Sequence, residues 1–201
     1  LPRKDYDIFI REAGKYLPDN IFLQNSKTDS NFPIMYTKLR DSQTTFVEKT
    51  VAHINMNHGA FIDVFPLDGY PKGKLKRVKY ELYKRYYNAV FLSVADIERT
   101  TRTKVIHEII NLLGLNKNVA KVSEKYTKLV SKYSTDSSDI WCNHGNRSGK
   151  LEYAPRSQYG KGKKAIFEGV EFVVPEKIEE YLEQKYGEWR KDIPEEKKKG
   201  H

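Results

Sequence analysis

Two aspartates lie in the most apolar run of the chain, "GAFIDVFPLDGYP" at residues 59–71. Asp63 stands between Ile62 and Val64, and this alternation predicts a strand whose other face carries the carboxylate. A buried carboxylate is costly without a partner. Asp63 could hold Mg²⁺, which takes one or two carboxylates together with phosphate oxygens, or it could accept hydrogen bonds from nearby backbone N–H groups. Asp68, at the end of the run, fits a turn and a structural role.

A pair of cations precedes this run. Lys38 and Arg40 alternate with apolar neighbours on a predicted strand, so their side chains share one face. Two cations on one face could clamp a diphosphate, and arginine suits bidentate phosphate contact. A solvated edge strand, where lysine discourages aggregation, explains the same pattern.

Aromatic residues form a third group of candidates. Trp141, Tyr153 and Tyr159 flank a glycine-containing turn, and three more tyrosines cluster on a predicted long helix between 74 and 98. Such rings can enclose a quaternary ammonium by cation–π attraction, although they also pack against one another in cores. The patterns HExxH, CxxC, GxGxxG, P-loop and GxSxG do not occur, so zinc, dinucleotide, P-loop and serine-hydrolase functions lack their usual marks.

The order of the predicted elements favours an α+β fold in a single domain, residues 1–201. A helix in "PRKDYDIFIREAGKYL" ends at Pro18, and strands follow in "NIFLQN", "FPIMYTKLRD" and "TTFVEK". Residues 1–72 and 139–175 form a strand-rich core, and 73–133 a helical insertion. Residues 176–201 supply a last helix and a basic tail.

The charge and the cysteine content limit the partners and the compartment. Net charge is +9, which attracts polyanions, and Lys74 to Arg85 with the lysine-rich tail could grip nucleic acid. A basic nucleic-acid-binding or non-catalytic interaction domain is therefore an alternative to an enzyme. Cys142 is the single cysteine, which excludes an internal disulfide and favours a reducing compartment such as a cytoplasm.

Several stretches together resemble the LicD family of phosphorylcholine transferases, relatives of fukutin in the nucleotidyltransferase-fold superfamily. The matching stretches are "PRKDYDIFI", "NIFLQNSKTDSNFPIMYTKLRDSQTTFVE", "NHGAFIDVFPLDGYP" and "FEGVEFVVPEKIEEYLEQKYGEW", in the order of the family. They span nearly the whole chain, whereas the middle helices match only in character. The run H-G-x-F-I-D-V-F-P-L-D is the most specific of the matching elements.

The resemblance implies a nucleotidyltransferase-like mixed sheet with flanking helices and a helical insertion in the middle. It also implies transfer of phosphorylcholine, or a related phospho-substituent, from a CDP-linked donor such as CDP-choline, with Mg²⁺ or Mn²⁺ as cofactor. Asp63 would be a metal ligand or the base that faces the acceptor hydroxyl, and Lys38 and Arg40 would contact the donor phosphates. Glu168, in "FEG", falls in a C-terminal motif of the family, and Trp141 and Tyr153 are the aromatic candidates for substrate binding.

The acceptor implied by the resemblance is an anionic cell-surface glycan, a teichoic acid precursor or a lipid-linked polysaccharide. We therefore expect a bacterial cytoplasmic protein with peripheral association at the inner face of the membrane and no nucleic-acid partner. One departure concerns the metal site. In the family a run of roughly W-D-D-D-x-D comes immediately before the stretch that matches "LPRKDY", and no later stretch of these residues replaces it. We expect the 201 residues to be part of a longer protein that carries this run.

Overall fold

A computed structural model describes residues 1–145, 149–192 and 194–195 of the chain. Helices and short strands are mixed, which confirms the prediction at that level. The strands form three small sheets in which neighbouring strands run antiparallel.

The first sheet carries the candidate charged residues. Its strands are β1 (Ile21–Gln24), β2 (Thr37–Asp41) and β3 (Ala60–Val64), in that order. The register places Lys38 opposite Asp63 and Arg40 opposite Phe61. The predicted strand "TTFVEK" is wrong, because that segment is a loop that ends in a short 3₁₀ turn, Lys49–Val51.

The second sheet joins the end of the first third of the chain to residues 140–155. It consists of β4 (Leu67–Gly69), β5 (Ile140–Asn143) and β6 (Tyr153–Pro155). Pro2 forms a parallel bridge with Leu67, just before helix α1 (Arg3–Glu12). The Arg3 guanidinium donates two hydrogen bonds, of 2.8 and 2.6 Å, to the buried carboxylate of Asp68. Asp68 therefore lies in a strand rather than a turn, and its role is the structural one.

Three helices fill the middle of the chain: α2 (Lys74–Val94), α3 (Thr101–Leu112) and α4 (Val119–Val130). Their lengths follow from apolar residues at spacings of three and four, and side chains of Thr100 and Asn118 cap α3 and α4. The helices do not form a core of their own. Buried residues of α2 and α4 pack with side chains from the strand-rich part, in one cluster of Met35, Tyr80, Tyr87, Tyr126 and Val130, with Tyr70 and Tyr153 at its margin.

The remaining elements are α5 (Arg156–Tyr159), the hairpin β7 (Lys163–Phe167) and β8 (Val170–Val174), and α6 (Ile178–Tyr186). The hairpin turns at Glu168 and Gly169, whose φ angles of 48° and 80° are typical of a two-residue turn that suits the strand twist. Most of the basic tail, Ile193 and residues 196–201, lies outside the described residues. In the part of the chain that is described, no helix is long and apolar enough to cross a membrane.

Candidate functional site

The inner face of the first sheet is polar, contrary to the usual arrangement of a strand. Gln24, Lys38 and Arg40 are completely buried, whereas Ile62, on the opposite face, is largely exposed. Burying such groups is unfavourable unless each finds a partner, and proteins keep this arrangement mainly where function requires it. This face is therefore the candidate site.

Lys38 connects two carboxylates. Its Nζ atom lies 2.9 Å from Oδ1 of Asp63 across the β2–β3 pair and 3.2 Å from Oε1 of Glu48. Lys38 Nζ and Asp63 Oδ1 form an ion pair, but their geometry is not that of a hydrogen bond. Both carboxylates keep about a quarter of their side-chain surface open to solvent. Asp63 thus has the protein partner that its position requires.

Arg40 is held by three different groups. It donates from Nε to the side chain of Gln24, from Nη1 to the Gly59 carbonyl at 2.7 Å and from Nη2 to Oε2 of Glu48 at 2.8 Å. The ring of Phe61 lies beneath both cations, with its centroid 3.3 Å from Lys38 Nζ and 4.7 Å from the Arg40 Cζ atom. We call Lys38, Arg40, Glu48 and Asp63 the charged cluster.

Glu48 is the residue that sequence reasoning missed. It comes from the loop after β2, and its two oxygens span Lys38 and Arg40 in the way that a phosphate would. The residue types of its stretch predict a strand, and that prediction obscures the role of Glu48. The signal that could have found it is charge balance, because two cations on one buried face need two counter-charges and Asp63 supplies only one.

A cavity of about 80 Å³ opens beside the charged cluster. Its walls include Glu48, the aromatic ring of Tyr36, Asn88 of α2 and the His144–Gly145 loop after β5. A Cβ atom on Gly145 would lie 2.4 Å from the ring of Phe65, so only glycine allows this close approach. The volume suits water or an ion, whereas ligand pockets usually exceed roughly 300 Å³, so a nucleotide would have to lie across the open side.

A buried histidine, His144, lines this cavity. It is hydrogen-bonded to the hydroxyl groups of Tyr80 on α2 and Tyr126 on α4. Burial lowers the pKa of its imidazole from 6.5 to about 3, with a smaller contribution from Arg3. The ring is therefore neutral at pH 7 and serves to lock helices and strand together.

The aromatic candidates lie in the second sheet, away from the charged cluster. Trp141 donates from its indole to the Thr135 carbonyl and stacks on Tyr159, with ring centroids 4.9 Å apart. The Tyr153 hydroxyl donates to Glu81 at 2.9 Å and accepts from Lys84 at 2.8 Å. Their polar atoms are thus used within the protein, and this arrangement is one of packing rather than an open cage.

Glu168 is also apart from the charged cluster. It is exposed at the turn of the β7–β8 hairpin, with a φ of 48°. Within the ranges that the structure describes, no group of three or more His, Cys, Asp or Glu side chains is placed to hold a metal ion. Asp63 and Glu48 both contact the same cation, Lys38.

Comparison with known proteins identifies no relative. No protein-family model matches the chain, and no similar curated protein or solved structure was found.

Proposed function

We propose that this chain belongs to a metal-dependent transferase that moves phosphorylcholine, or a related phospho-substituent, from a CDP-linked donor to a hydroxyl of an anionic glycan or teichoic acid precursor. The observation that carries the proposal is the charged cluster on the buried face of β2 and β3. Lys38, Arg40 and Asp63, the residues to which the resemblance to the LicD family gives the donor phosphates and the metal, share that face, and this supports the proposal.

The donor phosphates would take the place that Glu48 now occupies. Its carboxylate bridges Lys38 and Arg40, so these two cations are already spaced for one anionic group. Glu48 lies on a loop, and its withdrawal would leave the Arg40 fork open to a phosphate. Lys38 and Arg40 would then stabilise the charge that develops on the leaving CMP.

Asp63 would supply a hard oxygen ligand of the kind that Mg²⁺ or Mn²⁺ takes. A bound metal would neutralise phosphate charge during transfer. The aspartate-rich run of the family would also contribute to it.

The test is a calorimetric titration of CDP-choline into the 201-residue chain, with and without Mg²⁺. We expect binding that requires the metal and that weakens at least tenfold in Asp63→Asn. Asp19→Asn, at an exposed position, is the matched control and should bind like the wild type.

Two results would contradict the proposal. One is donor binding that is equal in Asp63→Asn and in the wild type. The other is no binding of CDP-choline, CDP-ribitol or CDP-glycerol at any Mg²⁺ concentration, since Lys38 and Arg40, the groups proposed to contact the donor phosphates, are both in this chain.

A further inference from the structure

Helix α2 has an apolar stripe on the side that faces away from the core. Tyr80 and Tyr87 are buried, whereas Leu75, Val78 and Leu82 project from the other side of the helix and are exposed. Leu75 is 87% exposed. Large aliphatic side chains repeated at spacings of three and four are costly to expose to water, so this stripe is a candidate docking surface.

Helix α3 extends the same surface. Val105, Ile109 and Leu112 are exposed, and Leu112 is also 87% exposed. The helix runs back along α2, because Thr103 and His107 near its start share a cavity with Leu92 of α2. Gly114 and Leu115, after its end, share another cavity with Tyr83 and Tyr86. The uncovered stripe of α2 therefore begins where α3 ends, and we call the six aliphatic residues of the two helices the helical patch.

The charge of the molecule is concentrated in the helical segment that carries the helical patch. Residues 74–130 contain thirteen Lys and Arg against five Asp and Glu, so this segment carries +8 of the net +9. Lys74, Lys76 and Lys79 are exposed on the same two turns of α2 as Leu75 and Val78. Lysine stems lie readily along apolar surface while their ammonium groups reach outwards.

An apolar stripe bordered by lysines is complementary to an anionic bilayer. Aliphatic side chains enter the boundary between headgroups and acyl chains, and lysines pair with the phosphates. A second copy of this chain fits less well, because a two-fold contact would set one strongly basic face against itself. Nucleic acid would match the lysines and leave the aliphatic residues in water.

We propose that the helical patch of α2 and α3 is the surface by which this protein lies on an anionic membrane. This membrane-binding surface does not depend on the transferase proposal, since neither the donor nor the metal takes part in membrane binding. The helices lie in the interface and do not cross it, because α3 has only 12 residues and α2, although 21 residues long, carries many charged side chains.

The experiment is co-sedimentation of the 201-residue chain with vesicles of phosphatidylcholine alone or with 30% phosphatidylglycerol, a composition chosen as the probe. We expect binding to the anionic vesicles only, weakened by salt. Leu75→Gln/Leu112→Gln should weaken it at least tenfold. Both residues are highly exposed and glutamine is a good helix former, so the fold should be retained.

Matched variants separate the patch from general effects. Ile166→Thr/Val173→Thr removes two exposed aliphatic side chains from the hairpin and should bind as the wild type does. Lys74→Gln/Lys76→Gln/Lys79→Gln should weaken binding more than Lys4→Gln/Lys27→Gln/Lys132→Gln, which removes the same charge from exposed positions elsewhere.

Three results would overturn the proposal. The first is equal binding by the Leu75/Leu112 variant and the wild type. The second is a stable dimer in sedimentation velocity that this variant abolishes, with no vesicle binding. The third is tight binding to RNA that is insensitive to the leucine changes and is not accompanied by vesicle binding.

Discussion

At the scale of single residues, the charged cluster shows how a sheet can bury two cations. Lys38 and Arg40 have lost their water completely, and two carboxylates and the face of Phe61 replace it. Breaking such a group is far more damaging than removing an exposed ion pair, because a buried charge is left without compensation. Glu48 is the member that contacts both cations, so it is the most sensitive point of the cluster.

Replacement of Glu48 by glutamine tests this view. We expect Glu48→Gln to lower the free energy of unfolding by about 2–3 kcal/mol, because Arg40 loses its carboxylate partner and Lys38 keeps only that of Asp63. Urea unfolding measures it, with Glu171→Gln as the control at an exposed pair with Lys164, where a change of at most about 1 kcal/mol is expected.

Inorganic pyrophosphate should restore part of the stability that Glu48→Gln loses. If Glu48 occupies a phosphate position, inorganic pyrophosphate will raise the unfolding midpoint of Glu48→Gln more than that of the wild type. Equal effects of pyrophosphate on both proteins would show that the anion position is not available, and would weaken the transferase proposal.

The sequence predicted part of this cluster and missed the rest for a physical reason. Alternation along β2 places Lys38 and Arg40 on one face, and the structure has them there, with Asp63 of β3 beside them. The pairing of Lys38 with Asp63 depends on the register between strands, which alternation within one strand does not specify. Glu48 comes from a loop, and loops have no periodicity from which a contact can be predicted.

At the scale of elements, His144 joins α2 and α4 to the end of β5. Tyr80 and Tyr126 meet at its ring, and the buried site favours the neutral imidazole. The pKa is about 3 in the folded protein, against 6.5 for the free side chain. The unfolded chain therefore binds the proton first as the pH falls, and the stability that His144 provides above pH 6.5 is lost progressively towards pH 3.

This linkage predicts a specific pH slope. Between pH 7 and pH 5, His144 should lower the free energy of unfolding by about 2 kcal/mol, at 1.36 kcal/mol for each unit of pKa difference. Urea titrations at several pH values would show that slope in the wild type and its absence in His144→Gln. Exposed His53→Gln is the control and should keep the wild-type slope. Parallel slopes for the wild type and His144→Gln would contradict the prediction.

The elements themselves were the most predictable part of the structure. Regular apolar spacing specifies α2, α3 and α4, and alternation about Gly169 specifies the β7–β8 hairpin. The segment "TTFVEK" has the residues of a strand but forms a loop, since Glu48 turns inwards to the two cations. A tertiary requirement of that kind overrides local strand preference.

At the scale of the whole molecule, the shared core decides how the chain unfolds. Tyr80 of α2 and Tyr126 of α4 pack with Met35 and Tyr70 from the strand-rich part. The helices and strands therefore depend on the same buried surface, and the helical segment should not unfold alone. The β7–β8 hairpin differs, because Ile166, Phe172 and most of its other large apolar side chains are exposed. Two-stranded hairpins are marginally stable without packing on one face.

Native-state hydrogen exchange should separate these two classes of segment. We expect the slowest amides of α2, α4 and β5 to exchange with one common free energy, equal to that of global unfolding measured with urea. Amides of β7 and β8 should exchange through local opening, with a free energy several kcal/mol lower and nearly independent of dilute denaturant. Ile166→Gly, at an exposed position of the hairpin, should accelerate exchange in the hairpin and leave the exchange of α2 unchanged. Val130→Ala, in the shared core, should accelerate the slowest amides of helices and strands together. Separate free energies for α2 and β5 would show instead that the helical segment is an independent folding unit.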